Sequence, residues 1–190
     1  GMLYYCPQIW CSDNTDAIER LRIQYGTSFG YPMSSVSAHV SVCPNHQNHR
    51  VTPFKTRGIC AMQGTFGYEL DLSKMTDEEK KMAGEQIAFF KEHGRLFQFG
   101  DYYRLTSPFE NRDYTVWEYA AQDGSEACMS VVYTDMYANA ASEIVKWKGL
   151  DPKKVYQMQL DGEDAGNFSG AALMHAGILL PLPEQNYDAF

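Results

Sequence analysis

The spacing of apolar residues changes near residue 100, and this change limits the folds open to the chain. From Met2 to about Phe99, short apolar runs alternate with stretches of helical spacing, the pattern of βα units around a parallel sheet. After Gly100 the chain consists of short β-rich runs separated by turn residues, which is typical of antiparallel sheets. The sequence therefore predicts two units, an α/β unit over residues 1–99 and an all-β unit over residues 100–190.

Three βα units are predicted in the first part. The strands are expected at Gln8–Cys11, Val36–Val40 and Thr65–Leu70. The helices are expected over about 15–26, 52–63 and 76–90, with Gly26 ending the first, Thr52-Pro53 opening the second, and Thr76 and Glu79 forming a capping box on the third.

The second part predicts an antiparallel β-sandwich. Its strands are expected at Tyr102–Leu105, Thr115–Tyr119, Ala127–Thr134, Val155–Met158 and Gly177–Leu180. Turns are expected at Asp123-Gly124, Asp151-Pro152 and Asp161-Gly162, because aspartate, glycine and proline supply the backbone conformations that turns need.

The overall composition excludes several classes of partner. A net charge of -8 argues against nucleic acid, whose phosphates call for a concentrated basic face. No apolar run reaches the ~18 residues of a membrane-spanning helix. Five cysteines, an odd number at wide spacing, favour reduced thiols and a cytoplasmic location.

Asp13 is the main candidate for chemistry. It follows the first predicted strand, and barrel enzymes carry catalytic groups at the C-terminal ends of their strands. A carboxylate there can act as general acid and then as general base. The alternative is that Asp13 caps the following helix, with Asp16 three residues later.

Five ordered segments resemble retaining α-galactosidases of glycoside hydrolase family thirty-six. They are Gly1–Leu21, Ile23–Ser28, Ser37–Ser41 with Pro44–Gln47, Gly64–Asp71 and Gly100–Leu105. The resemblance implies the last three βα units of a (β/α)8 TIM-type barrel followed by a C-terminal antiparallel β-sandwich. It also implies that the chain is a C-terminal fragment, because the family's Gly-Met-Leu-Tyr-Tyr string lies inside the full-length sequence.

The same resemblance implies a function and a gap in the chemistry. Asp13 falls on the family's acid/base position, and the substrates implied are α-galactoside oligosaccharides such as raffinose and melibiose, cleaved by double displacement with no metal or other cofactor. The family's nucleophile lies in a Lys-Trp-Asp-Met-Asn motif that is absent here, and Lys146-Trp147-Lys148 lacks the carboxylate. We therefore expect the isolated chain to be inactive. The full-length protein is expected to be a homo-oligomer. The alternative is a noncatalytic carbohydrate-binding or interaction module left from a truncated glycosidase.

Three further residues are candidates for substrate binding. Trp10 either packs beside the sugar or fills the barrel interior. Asp16 either lines the loop that carries Asp13 or forms an ordinary i,i+4 helix-surface pair with Arg20. His39 either faces the pocket or is a hydrogen-bonded structural histidine.

Two other groups of polar residues have weaker functional readings. His46 and His49, with Cys43 upstream, allow a zinc site, although two histidines three apart on a polar loop are usually unligated. Glu69 and Asp71, at the third strand, are expected to be structural, with one of them a candidate to approach the pocket.

Overall fold

Short parallel segments organise the first part of the chain in the computed structural model, which describes residues 1–190. Strand β1 (Val40–Ser41) pairs in parallel with β2 (Tyr68–Glu69). Isolated parallel bridges extend this arrangement, joining Ile9 to Val36 and Ser37 to Thr65. The segment that holds β1 therefore lies between the other two, as expected for consecutive βα units, although the regular pairing is shorter than the sequence predicts.

Five α-helices accompany these segments. They are α1 (Met2–Tyr5), α2 (Ala17–Thr27), α3 (Phe54–Ala61), α4 (Asp77–Glu92) and α5 (Gly94–Phe99). Single 3-10 turns cover Met33–Ser35 and Leu72–Lys74. The sequence predicts α2, α3 and α4 but neither α1 nor α5 as a separate helix. No helix is long and apolar enough to cross a membrane.

Of the two predicted helix starts with a capping signal, one is confirmed and one is wrong. The predicted capping box on α4 is confirmed, since Glu79 N donates to Thr76 Oγ1 at 3.1 Å and Thr76 N donates to Glu79 Oε2 at 3.2 Å. The predicted cap at Thr52 is wrong. Pro53 is still extended, with ψ of 147°, so α3 begins one residue later and Pro53 itself occupies the cap position.

An apolar core joins helices α3 and α4 to β1. Its buried members are Ala38, Val40, Phe54, Ala61, Met75 and Ala83, against which Phe66, Tyr68, Leu70 and Met82 pack. This compact unit spans Gly1–Gln98, and a second compact unit spans Phe99–Phe190.

The second unit consists of antiparallel sheets. Strands β3 (Asp101–Arg104), β4 (Tyr114–Ala120) and β5 (Ala127–Tyr133) form one sheet in that order, with β4 in the centre. The remaining elements are β6 (Ile144–Val145), β7 (Val155–Leu160), β8 (Glu163–Ser169), α6 (Gly170–His175) and β9 (Ile178–Leu179), with β6 paired to β9 and β7 to β8.

A strand lies at each of the five predicted positions, but strands β6 and β8 are not predicted from the sequence. Asp161 and Gly162 have φ values of 52° and 83° and connect β7 to β8, so the predicted Asp-Gly turn is confirmed as a tight hairpin turn. Strand β8 was missed because its sequence is rich in acidic and small residues. Strand β6 was missed because it is only two residues long.

Glu118 is a buried acid in the central strand β4. Its side chain is fully buried, Oε2 accepts a hydrogen bond from Lys148 N at 2.9 Å, and Oε1 has no hydrogen-bond partner in the protein. Burial raises the pKa of Glu118 to about 8, opposed by the backbone N–H and the charge of Lys148. The folded protein therefore keeps this carboxyl protonated at neutral pH.

Replacing Gly64 by alanine is expected to lower the free energy of unfolding by about 1–3 kcal/mol, the usual cost of overpacking. An added Cβ at Gly64 lies 2.5 Å from the carbonyl oxygen of Val36, a backbone atom of the neighbouring segment. Gly84→Ala in α4 is the matched control, because its Cβ meets nothing within 4 Å, and it should gain about 0.5–1 kcal/mol. Urea denaturation followed by circular dichroism measures both. Equal stability of the two variants contradicts this close approach.

The stability of the second unit is expected to fall as the pH rises between the ordinary pKa of glutamate, 4.5, and the value of about 8 for folded Glu118. In this window the unfolded chain ionises Glu118 while the folded chain keeps the proton, so unfolding releases a proton and the slope reaches about 1.4 kcal/mol per pH unit. Urea denaturation across this window should show the slope in wild type and in the exposed control Glu163→Gln, but not in Glu118→Gln. Identical pH profiles of stability for wild type and Glu118→Gln refute the raised pKa of folded Glu118.

Candidate functional site

Asp13 is an exposed residue of the loop 10–16, called the acid loop below, which lies between the bridged residue Ile9 and helix α2. Its carboxylate oxygen Oδ1 accepts a hydrogen bond from the indole Nε1 of Trp10 at 2.8 Å. Asp13 does not cap α2, because Asp16 occupies that position. The capping alternative for Asp13 is therefore wrong, and its carboxylate is open to solvent.

A second loop holds the backbone around Asp13. The side-chain amide of Gln47 donates to the carbonyl oxygen of Asp13 at 3.2 Å, and its amide oxygen accepts from Thr15 N at 3.0 Å. Asn45 Nδ2 donates to Thr15 Oγ1 at 3.0 Å. The loop that begins at Pro44 therefore fixes the acid loop through paired amide contacts, a role that the sequence analysis did not identify.

The guanidinium of Arg20 fixes the acid loop from the inside. Arg20 is 2% exposed and donates to the carbonyl oxygens of Ser12, Asn14 and Ser37 at 3.2, 2.8 and 2.8 Å. Its Nε donates to Gln24 Oε1 at 3.1 Å. A buried charge is tolerated when its hydrogen-bonding groups are satisfied. Arg20 thus ties the residues on both sides of Asp13 to the neighbouring parallel segment.

Asp16 is a structural residue. It caps α2, where Oδ1 accepts from Glu19 N at 2.8 Å, and it accepts hydrogen bonds from Asn48 Nδ2 and Arg50 Nη1. Its side chain is 1% exposed, and both of its oxygens accept hydrogen bonds from protein donors. The expected surface pair with Arg20 is also wrong, because both side chains are buried and Arg50 is the ion-pair partner of Asp16.

Trp10, His39 and Glu69 form a row that starts at Asp13. The rings of Trp10 and His39 are stacked, with centroids 4.8 Å apart and planes at 5°. His39 Nε2 lies 3.0 Å from Glu69 Oε2, a close ionic contact, yet neither ring nitrogen of His39 has a hydrogen-bond partner. The expectation of a hydrogen-bonded histidine is therefore wrong. These four residues come from all three parallel segments.

The surroundings of His39 favour its neutral form. Burial lowers its pKa, the positive charge of Arg20 lowers it further, and Glu69 opposes both effects. A neutral ring stacked on an indole forms an uncharged platform beside the Asp13 carboxylate.

The other polar residues of this region have local roles. Asp71 accepts hydrogen bonds from Ser73 N at 3.0 Å and Ser73 Oγ at 2.6 Å, so it stabilises a turn, as expected for a structural carboxylate. His46 lies with Nδ1 3.4 Å from Thr15 Oγ1. No group of three or more histidine, cysteine, aspartate or glutamate side chains is placed to hold a metal ion.

Comparison with protein families gives two matches that together cover most of the chain. Residues 1–100 match the melibiase family, and residues 114–190 match the C-terminal domain of glycosyl hydrolase family 36.

Curated relatives are α-galactosidases. The chain is 51% identical over 190 residues to the bifunctional alpha-galactosidase/sucrose kinase AgaSK of Mediterraneibacter gnavus, with 100% of the chain and 20% of that protein covered. It is 49% identical over 187 residues to alpha-galactosidase AgaA of Geobacillus stearothermophilus, with 98% of the chain and 25% of that protein covered. The chain therefore spans about a quarter or less of the length of these relatives.

Solved structures of similar proteins cover the whole chain. The galactosidase domain of AgaSK superposes with a TM-score of 0.93 at 51% identity, and the chain covers 26% of it. A variant of AgaA from Geobacillus stearothermophilus in complex with raffinose gives a TM-score of 0.94 at 47% identity, again with 26% of that chain covered. Another variant of AgaA, in complex with stachyose, gives 0.93 at 46% identity and the same coverage.

Replacing Asp16 by alanine is expected to destabilise the first unit by about 2–4 kcal/mol, because it removes a helix cap and leaves Arg50 without its buried partner. Asp77→Ala in the first turn of α4 is the control. Its side chain is 96% exposed and pairs only with exposed Lys80, so little change is expected. Thermal and urea unfolding measure both variants, and similar losses argue against a structural role specific to Asp16.

Proposed function

Because the chain belongs to the melibiase family, with a glycosyl hydrolase family 36 C-terminal domain over residues 114–190, we propose that it is part of an enzyme that hydrolyses terminal α-D-galactosyl residues of oligosaccharides. The observation that carries this proposal is the Asp13 carboxylate, exposed to solvent and oriented by the indole of Trp10. Complexes of similar proteins with raffinose and stachyose support this class of substrate.

We assign the acid/base role to Asp13. In a retaining mechanism the protonated acid gives its proton to the departing glycosidic oxygen, and the resulting carboxylate then takes a proton from the water that attacks the glycosyl-enzyme. The exposed loop gives the carboxyl access to a sugar, while Gln47 and Arg20 restrain its backbone. Trp10, which is half exposed and packs on the buried ring of His39, supplies an aromatic face beside it for the sugar ring.

The second carboxylate of this mechanism is expected outside these 190 residues. A retaining enzyme needs a nucleophile ~5–5.5 Å from the acid, and the Lys-Trp-Asp-Met-Asn motif expected to carry it is absent from the sequence. Glu69 lies beside His39 at the far end of the row, and we assign it no nucleophilic role. Two carboxylates are sufficient for this chemistry, so the proposal includes no metal.

The proposed architecture follows from the same comparison. We assign residues 1–99 to the last three βα units of a (β/α)8 barrel and residues 100–190 to a C-terminal β-sandwich. The three parallel segments lie side by side in chain order, as neighbouring barrel strands do. The antiparallel sheets of the second unit are those a sandwich requires.

The isolated chain is expected not to hydrolyse an aryl α-galactoside, because it carries the acid without its partner. Release of the aryl alcohol, compared with a buffer blank, measures this, and activity restored by adding the upstream part of the gene supports the enzyme. Turnover by the isolated chain that Asp13→Asn abolishes contradicts the missing nucleophile. Galactoside binding with no hydrolysis in the extended protein favours the noncatalytic carbohydrate-binding alternative.

In the complete enzyme, Asp13→Ala is expected to reduce the rate on raffinose by ~10²–10⁴-fold, the usual contribution of general acid catalysis. Activated aryl galactosides should lose far less in the first chemical step, since their leaving groups need little protonation. The ratio of the two rates, with Asp77→Ala as an exposed control carboxylate, measures this. Wild-type rates on raffinose for Asp13→Ala exclude the acid role.

A further inference from the structure

We propose that Trp10 is the positioning residue of the acid: its indole, stacked on His39, holds one oxygen of the Asp13 carboxyl and leaves the other for the glycosidic oxygen. This inference rests on the proposed function for its catalytic meaning. The geometry behind it can be tested without a sugar.

The chemistry of the indole fixes which carboxyl oxygen carries the proton. Trp10 Nε1 is a donor only, and it lies 2.8 Å from Asp13 Oδ1. Oδ1 must therefore accept, so in the acid form the proton is placed on Oδ2. Asp13 is exposed, so Oδ2 can approach a leaving group. A carboxyl that donates from one defined oxygen is better oriented than one that rotates freely.

The indole is itself held in place. It stacks on His39 at 4.8 Å, and the guanidinium carbon of Arg20 lies 6.0 Å from the Trp10 ring centroid. His39 is only 8% exposed, so the surface under the indole is part of the packed unit rather than a mobile side chain. Trp10 is 50% exposed and keeps an open area for a ligand.

The backbone contacts complete the positioning. Gln47 holds the carbonyl oxygen of Asp13, and Arg20 holds those of Ser12 and Asn14. With the main chain fixed on both sides, the hydrogen bond from Trp10 sets the orientation of the remaining side chain.

Several charged or titratable groups surround the pair and have to be separated from Asp13 in any pH experiment. They are Asp16 at the cap of α2 and Arg20 within it, His39 and Glu69 in the row, and His46 and Arg50 in the second loop. His39 is the critical one, because it stacks directly on the indole and titrates itself.

The test follows the indole N–H signal of Trp10 in the 190-residue chain by ¹H–¹⁵N NMR as a function of pH. Loss of one signal in Trp10→Phe assigns it among the three tryptophans. In wild type the signal is expected to shift as the Asp13 carboxylate takes up a proton, because the acceptor changes charge. The shift should be lost in Asp13→Asn. It should persist in His39→Phe, which keeps a stacking ring and removes the titration of His39.

Two results would overturn the positioning role of Trp10. A pH-dependent shift that survives in Asp13→Asn and disappears in His39→Phe assigns it to the histidine and overturns the proposal. A Trp10 indole signal at the position of an unfolded chain in wild type also overturns it, because the row would then not form.

A kinetic measurement in the complete enzyme separates this inference from the proposed function. Trp10→Phe keeps an aromatic face and removes the N–H, so kcat on raffinose should fall about tenfold, less than the ~10²–10⁴-fold of acid catalysis as a whole, with KM little changed. A rise in KM with unchanged kcat makes Trp10 a binding residue and rejects the positioning role. If the NMR result holds and no galactoside is cleaved, the proposed function fails while the positioning geometry stands.

Discussion

The buried guanidinium of Arg20 is the interaction on which the candidate site depends. Arginine cannot be deprotonated in a protein, so its charge has to be satisfied where it lies. Three backbone carbonyl oxygens accept hydrogen bonds from the guanidinium: those of Ser12 and Asn14 in the acid loop and that of Ser37 in the neighbouring parallel segment. Removing the guanidinium would leave these carbonyls without a donor. The position of Asp13 is therefore a consequence of how a buried charge is solvated by the chain around it.

A second buried polar link supports the same helix from its other side. Gln24 accepts from Arg20 and donates to Gln63 Oε1 at 2.7 Å and to the carbonyl oxygen of Cys60 at 3.0 Å. The acid loop is thus connected through α2 to the end of α3. Asp16, which caps α2, also forms an ion pair with Arg50. These hydrogen bonds restrain the main chain of the loop while the Asp13 carboxylate stays exposed, which is the arrangement that a general acid needs.

Some local signals in the sequence predict local structure correctly here, although the cap at Thr52 is wrong, and long-range contacts are predicted poorly. The capping box at Thr76 and the hairpin turn at Asp161 depend on residues a few positions apart, so both are confirmed. The spacing of Asp16 and Arg20 predicts an exposed helical pair. It cannot show that Arg50, thirty-four residues away from Asp16, competes for the carboxylate. The stack of Trp10 on His39 likewise joins separate segments, and only the three-dimensional structure brings them together.

Azide rescue of Asp13→Gly in the complete enzyme tests most directly whether Asp13 is an acid/base residue, as proposed, rather than a nucleophile. An activated aryl galactoside should form the glycosyl-enzyme without acid help, and azide should then replace the water that Asp13 would have activated. The account predicts faster turnover with azide and an α-galactosyl azide product, because two inversions retain the configuration. A β-galactosyl azide, from a single displacement, would show that Asp13 is the nucleophile and would contradict the account.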